Sequence, residues 1–423
     1  MCLLLRQADY SFKQKEVPTR TMSPITTQTQ AKTGDLLLLI GTTKGAFLFR
    51  SNAARQRWQV SGPHFPGLMV YALAYDGRRG RTRIWAGTGH PFFGCSLHSS
   101  DDFGANWTNP EIPAPQFPAD AGVSLKQIWQ IVPGRPEEPD TLYCGVEPAA
   151  LFESKDAGVT WSLVRGLFDH PHRPRWQPGA GGLCLHTILL DPKNPRRMHV
   201  AISAAGVYRT DDGGASWKPM NQGVRVDFAP IKYPEFGQCV HKIALHPARP
   251  ARLLMQNHGG LYRSDNGGES WRDISKGVPS DFGFPMVLHP HKPETAYVMP
   301  LEAPIRCVPE AKLRVYRTRN GGRSWEPLSR GLPQKDAYET VLRDGMAADS
   351  LQPAGIYFGT HSGKLYGSRN EGTSWQLIRD GLPPIVCVKA AVVATAPVAR
   401  KAVRAKTAAK GGKRPKRRAA SRA

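Results

Sequence analysis

Hydrophobic and polar positions follow one another in short runs along most of the chain. Stretches such as GVYRT and LCLHTILLD are short, largely apolar and bounded by turn residues, which is typical of β-strands. Helical periodicity is scarce, and 42 Gly and 37 Pro supply frequent turn signals. The pattern therefore predicts an all-β chain built from many short strands.

One ten-residue motif recurs along this pattern. It reads YRTDDGGASW at residues 208–217, YRSDNGGESW at 262–271 and YRTRNGGRSW at 316–325. Weaker copies end at Trp107, Trp161 and Trp375, and an eroded copy ends at Trp58. Successive tryptophans are 49, 54, 56, 54, 54 and 50 residues apart. This period suits a four-stranded blade of a β-propeller.

The chemistry of the motif predicts a tight hairpin between the third and fourth strands of each blade. An Asp or Asn accepts hydrogen bonds from its own turn, and a following Gly takes the positive φ that the turn requires. The Asp or Asn positions are Asp102, Asp156, Asp212, Asn266, Asn320 and Asn370. Because turn chemistry explains these residue types, we expect the repeats to be structural scaffold.

Together, these units predict a seven-bladed β-propeller of four-stranded antiparallel blades over residues 35–394. The first unit begins at its second strand, DLLLLIGTT, so we expect its first strand to come from Pro384–Ala394 at the other end of the chain. Such a closure removes free sheet edges. Residues 1–34 are predicted to be a flexible N-terminal extension, and residues 395–423 a disordered basic tail.

The motifs resemble the Asp-box, or BNR, repeats of sialidases, sortilin-type receptors and the photosystem II stability/assembly factor, within the wider group of WD40/YVTN-like propellers. The resemblance covers roughly residues 35–394. It implies a propeller whose boxes lie on the outer rim, away from the ligand face. Since this family includes both enzymes and binding proteins, the resemblance does not choose between these functions.

Charge and cysteine content add expectations about partners and location. The tail from residue 396 holds 11 Lys or Arg and no acidic residue, about half of the net charge of +23. It is expected either to contact polyanions such as nucleic acid through counterion release or only to aid solubility.

No apolar run approaches membrane-spanning length. The seven scattered Cys, without CxxC spacing, favour a reduced, cytoplasmic protein.

Candidate site residues follow from aligning the blades. His186 and His241 occupy equivalent first-strand positions in neighbouring blades, and Asp344 falls there in a third. Loops between second and third strands, and an inserted segment at residues 168–182, add Glu147, His258, Glu302, Arg175 and Trp176. We expect these side chains to meet at the channel mouth, in a pocket for a small or oligomeric polar ligand or a protein partner.

Two further alternatives apply to these residues. His186 and His241 are suitable ligands for a divalent metal, although no fixed metal-binding spacing occurs. The other alternative is that the polar groups only satisfy one another and trapped water.

Two function classes remain open, and we favour a non-hydrolytic binding or assembly protein. The alternative is a sialidase-like glycoside hydrolase. The resemblance to sialidases implies six blades and an Arg-Ile-Pro motif before the first box, whereas this chain has DLLLLIGTTKGAFLF there and seven predicted blades. Catalytic residues are therefore left unassigned, although a carboxylate pair such as Glu147 and Glu302 is what another glycoside hydrolase would need.

Overall fold

The computed structural model describes residues 31–108 and 115–394. Their strands form seven sheets, and consecutive strands within each sheet pair in an antiparallel manner. The chain is thus a seven-bladed β-propeller, which confirms the prediction from the repeat period. The predicted basic tail and most of the N-terminal extension lie outside the described residues.

Blades are numbered here in chain order. Blade 1 contains β1 (Leu36–Thr42), β2 (Gly45–Ser51) and β3 (Gln59–His64); blade 2 contains β4 (Met69–Asp76), β5 (Arg83–His90) and β6 (Gly94–Ser100). Blade 3 contains β7 (Gln127–Pro133), β8 (Leu142–Glu147), β9 (Ala150–Ser154) and β10 (Ser162–Leu163). Blade 4 contains β11 (Leu185–Leu190), β12 (Met198–Ile202), β13 (Gly206–Thr210) and β14 (Lys218–Pro219).

The last three blades follow the same order. Blade 5 contains β15 (Val240–His246), β16 (Arg249–Asn257), β17 (Leu261–Ser264) and β18 (Arg272–Asp273). Blade 6 contains β19 (Gly283–Leu288), β20 (Ala296–Pro300), β21 (Val315–Thr318) and β22 (Glu326–Leu328). Blade 7 contains β23 (Met346–Ala348), β24 (Ile356–Gly359), β25 (Leu365–Ser368) and β26 (Gln376–Arg379), and the final strand is β27 (Ile385–Val392).

Helical structure is minor among the described residues. There is one short α-helix, α1 (Arg165–Phe168), and there are 3₁₀ turns at Arg78–Gly80, Ala119–Ala121, Arg173–Arg175 and Pro309–Ala311. None of these helices is long or apolar enough to cross a membrane.

The two ends of the propeller close on each other as the sequence predicts. Strand β27 pairs antiparallel with β1, with Leu36 opposite Val392 and Ile40 opposite Val388. Blade 1 thereby gains its first strand from the C-terminal side, and the ring has no open seam at this point. A parallel bridge between Asp344 and Cys387 joins the segment before β23 to β27.

The repeated motif forms the turn between the third and fourth strands of the blade. In blade 4, the Asp212 carboxylate accepts hydrogen bonds from the Thr210 hydroxyl at 2.7 Å and from the Ser216 backbone N–H at 2.9 Å. Gly214 has a φ of 100°, which a residue with a Cβ rarely adopts. The motif residues therefore satisfy one another, which is the scaffold role that the sequence predicts.

Tryptophans of the motif also connect adjacent blades. The indole N–H of Trp271 in blade 5 donates to the carbonyl oxygen of Met220 in blade 4 at 2.8 Å, and Trp325 in blade 6 makes the same contact with Ile274 in blade 5. The hydrophobic cores lie between neighbouring blades, where apolar faces of adjacent sheets pack together. The first strands of neighbouring blades lie beside one another around the central channel.

Candidate functional site

A cavity of about 610 Å³ opens at one mouth of the channel. Its lining comes from the inserted segment after α1, from the first strands of blades 5 and 6 and the segments leading into β15, β19 and β23, and from the loops after β12, β16 and β20. Aromatic rings of Phe228, Phe236, Phe282 and Phe284 contribute much of the surface. The site is therefore a partly apolar pocket, of the kind that binds organic ligands.

Guanidinium groups supply the positive charge of this cavity. Arg343 is buried at its floor, while Arg175 and Arg306 line its exposed parts. The Arg343 Nη1 lies 3.7 Å from the Cys184 sulfur, and its buried Nε has no hydrogen-bond partner. Among the described residues, no carboxylate lines the cavity. The pocket therefore favours a ligand that brings hydrogen-bond acceptors or negative charge.

Glu147 lies outside the cavity and contacts Trp129, which packs against Arg343. Its carboxylate accepts a hydrogen bond from the indole N–H of Trp129 at 3.1 Å. The Trp129 ring in turn faces the guanidinium of Arg343, with 5.0 Å between the ring centroid and Cζ. Glu147 thus acts on the floor through Trp129, by orienting a ring that holds Arg343.

A thiol and two imidazoles form one side of the cavity. Cys239, His241 and His258 bring their sulfur and ring nitrogens within 4.8 Å of one another. Burial lowers the pKa of His241 to about 3, and the nearby Arg343 adds to this shift. Burial also raises the pKa of the Cys239 thiol. Burial likewise lowers the pKa of His258, so both imidazoles are neutral near pH 7, each with a lone pair able to bind a metal or accept a hydrogen bond.

Two carboxylates stand beside this cavity rather than in its wall. Asp227 and Asp281 precede the wall residues Phe228 and Phe282, and both pair with Arg225. The Arg225 Nε lies 2.8 Å from Asp227 Oδ1, and its Nη2 lies 3.7 Å from Asp281 Oδ2. Both side chains are about half exposed, so they are accessible at the rim.

Exposed hydrophobic side chains gather on the face that contains the cavity. Seven of them, each more than 60% exposed, lie in loops between second and third strands or in segments leading into first strands: Phe92, Phe93, Phe228, Ile231, Tyr233, Ile305 and Tyr338. Exposures run from 61% for Ile305 to 88% for Phe92. Exposed apolar groups concentrated on one face of a protein mark an interaction surface.

The eight side chains predicted for the site separate into two groups. Arg175, His241 and His258 line the cavity. The other five do not: Glu147 lies behind the floor, Trp176 is buried between blades, Glu302 is exposed on a loop, His186 is buried, and Asp344 is buried in the channel. Convergence at one mouth is therefore partial.

Buried hydrogen bonds explain why two of these residues do not reach the cavity. The indole N–H of Trp176 donates to the Tyr208 hydroxyl at 2.9 Å. His186 Nε2 lies 2.9 Å from the Val240 carbonyl oxygen, and Nδ1 lies 2.9 Å from the Thr187 hydroxyl. Both ring nitrogens of His186 are thus occupied, and His186 does not join His241 around a common metal position.

Asp344 belongs to a charge cluster deeper in the channel. Its Oδ1 accepts hydrogen bonds from Lys242 at 2.7 Å and from Lys389 at 2.9 Å. Burial alone would raise the pKa of Asp344, but the two ammonium groups more than offset it and hold the pKa well below its usual range. The carboxylate is therefore ionised and structural, without contact to the cavity.

Sequence reasoning missed several residues that build the cavity. Cys239 stands two positions before His241, a spacing that would put both side chains on one face of a regular strand, although β15 begins only at Val240 and its pairing with β16 is irregular there. Arg343 directly precedes Asp344, but nothing in a single sequence shows which of two adjacent polar residues enters a pocket. Arg306 lies in a loop between β20 and β21 that is longer than the equivalent loops of the other blades, which is the signal that could have identified it.

Comparisons with known proteins found xyloglucanases among the curated relatives. No protein-family model matches the chain. A probable oligoxyloglucan-reducing end-specific xyloglucanase of Neosartorya fischeri is 24% identical over 263 residues, covering 54% of this chain and 30% of the relative. The xyloglucanase Xgh74A of Acetivibrio thermocellus is 26% identical over 262 residues, covering 54% of this chain and 29% of the relative.

A solved structure agrees on the architecture. The crystal structure of an ancestral GH74 enzyme has a TM-score of 0.50 and 16% identity, with 74% of this chain and 38% of that chain covered. At this identity the likeness shows the fold. The chain spans less than a third of the length of the curated xyloglucanases that it resembles.

Proposed function

We propose that this chain is a carbohydrate-active propeller that holds a polysaccharide across the channel mouth, as a glycoside hydrolase. The observation that carries the proposal is that the cavity and the exposed aromatic side chains lie on the same face of the propeller. A pyranose ring presents an apolar C–H face and a rim of hydroxyls. Phe228 and Phe284 supply flat apolar surfaces, while Arg175 and Arg306 donate hydrogen bonds to hydroxyl oxygens.

The similarity to xyloglucanases favours a β-linked glucan backbone as the substrate class. A polymer needs an extended surface, and the aromatic residues outside the cavity supply one. Phe92 and Phe93 are 88% and 83% exposed on the loop between β5 and β6, and Tyr233 is 62% exposed on the segment before β15. Side chains so exposed contribute little to folding, which supports a role in binding.

Hydrolysis of a glycosidic bond requires two carboxyl groups on opposite sides of the bond. Asp227 and Asp281 are the pair that the geometry favours, because each is adjacent in sequence to a cavity wall residue. Arg225 lies between them and keeps both carboxylates at the rim. We assign them the acid and base roles without distinguishing which residue has which.

Release of reducing ends from xyloglucan and from its oligosaccharides tests the proposal. We expect turnover by the full chain and a loss of about 10²-fold or more in Asp227→Asn and in Asp281→Asn, as for removal of a general acid or base. Glu269→Gln is the matched control, since Glu269 is 60% exposed and lies in the motif turn. Wild-type turnover in Asp227→Asn and in Asp281→Asn would contradict the assignment.

A non-hydrolytic binding protein is the second candidate. One observation favours it: within the described residues, the cavity wall holds no carboxylate. This candidate predicts saturable glycan binding without any release of reducing ends. The same incubation therefore separates the two candidates when the binding of the oligosaccharide is measured beside its hydrolysis.

A further inference from the structure

Three metal-binding side chains meet at one side of the cavity. His241 lies in β15 beside an irregularity in its pairing with β16, and Cys239 directly precedes the strand. His258 is the cross-strand neighbour, and its backbone N–H donates to the Cys239 carbonyl oxygen at 2.9 Å. The sulfur and ring nitrogens of the three residues lie within 4.8 Å of one another. The start of β15 and the end of β16 therefore bring the three side chains together.

A backbone contact orients His241 as a metal ligand would be oriented. Its Nδ1 lies 2.6 Å from the Gly283 carbonyl oxygen in blade 6, and a carbonyl can only accept, so Nδ1 carries the proton. Nε2 is left with its lone pair, 3.7 Å from the Cys239 sulfur. Metal-bound histidines usually donate their second N–H to such an oxygen, which fixes the ring and the tautomer.

Aromatic rings hold His258 at the same place. The His258 ring centroid lies 5.0 Å from that of Phe282 and 5.5 Å from that of His241. Zinc bonds of about 2.0 to 2.3 Å place tetrahedral ligand atoms roughly 3 to 4 Å apart. The spacing of Cys239 and His241 already falls in this range, and no two ligand atoms of the set are more than 4.8 Å apart.

We propose that Cys239, His241 and His258 bind one zinc-class ion whose fourth position faces the cavity. A thiolate with two imidazoles suits this borderline-soft metal, and three protein ligands with one open position are the pattern of zinc sites that bind an exogenous ligand. Arg343 and Arg306 line the same cavity. Their positive charge favours an anionic ligand, such as hydroxide or carboxylate, at the fourth position.

The inference does not rest on the proposed function, because neither glycan contact nor the Asp227 and Asp281 pair requires the ion. The sequence alone suggested His186 and His241 as metal ligands. The proposed site keeps His241 and has Cys239 and His258 in place of His186.

Metal binding by the tag-free full chain tests the proposal. After treatment with a chelator and its removal, the chain is titrated with Co²⁺ alone, and then with Zn²⁺. We expect one Co²⁺ per chain, a thiolate-to-Co²⁺ charge-transfer absorption in the near-ultraviolet, and loss of this absorption when Zn²⁺ displaces Co²⁺. Cys239→Ser removes the absorption and weakens binding at least tenfold.

Controls keep the result interpretable. Cys95→Ser changes another partly buried free cysteine and retains the absorption. His258→Gln, at the half-buried ligand, weakens Co²⁺ binding at least tenfold and is informative if a His241 variant does not fold. The proposal is overturned if the full chain binds no more Co²⁺ than Cys239→Ser does, or if the absorption disappears in Cys95→Ser and not in Cys239→Ser.

Discussion

Lys242 of blade 5 donates a hydrogen bond to Asp344 of blade 7 across the channel, with 2.7 Å between Nζ and Oδ1. Lys389 of β27, which belongs to blade 1, donates to the same oxygen at 2.9 Å. Asp344 is only 2% exposed. One buried carboxylate therefore connects blades 5, 7 and 1, and blade 5 is not a neighbour of either of the other two along the ring.

Replacing Asp344 should unfold the propeller more readily. In Asp344→Asn the two ammonium groups lose their counterion while their side chains stay only 14% and 28% exposed, and breaking a buried ion pair costs about 3 to 5 kcal/mol. The free energy of unfolding from urea titration measures this loss. Asp336→Asn is the control, because the Asp336 side chain is 68% exposed; it should change stability by less than about 0.5 kcal/mol. Equal losses in the two variants would contradict the structural role.

Acid should destabilise the fold partly through His199. Burial lowers the pKa of His199 to about 4 from its ordinary value of 6.5, although the hydrogen bond to the Gly267 carbonyl opposes this shift. The unfolded chain therefore binds the proton first, so stability is full above pH 6.5 and is lost as the pH falls towards 4. The loss for this residue is up to about 3 kcal/mol.

The comparison variant for this pH effect is His199→Gln, whose amide can still donate to Gly267. Unfolding free energies measured from pH 7 to pH 4 should fall less steeply in His199→Gln than in the wild-type chain. His361→Gln, at an exposed histidine, should keep the wild-type slope. An unchanged slope in His199→Gln would show that other groups account for the acid sensitivity.

Truncation of a motif tryptophan should affect stability and leave recognition intact. Trp217 is 5% exposed between blades, and Trp217→Ala should lose about 3 to 5 kcal/mol. Trp161→Ala, at the same motif position but only partly buried, should lose less. Thermal unfolding measures both. If glycan binding at low temperature disappeared from folded Trp217→Ala, the motif would be more than scaffold.

Much of the fold could be predicted from the sequence because its determinants are local and repeated. Turn residues such as Asp212 and Gly214 recur with blade spacing, and the missing first strand of blade 1 left only the C-terminal segment to close the ring. The site was harder, because it is built from what the blades do not share. His186 and His241 are equivalent in their blades, yet His186 bonds to Val240 and Thr187 while His241 lines the cavity.

Direct binding of a xyloglucan oligosaccharide is the measurement that tests the central claim, namely that the cavity face recognises glycan. Titration calorimetry should show saturable binding to the full chain, weakened about tenfold or more in Phe228→Ala, as expected for loss of an aromatic contact residue. Val159→Ala removes a side chain that is 65% exposed away from that face and should bind as tightly as the wild-type chain. No binding to the full chain, or equal weakening by the two substitutions, would contradict the account.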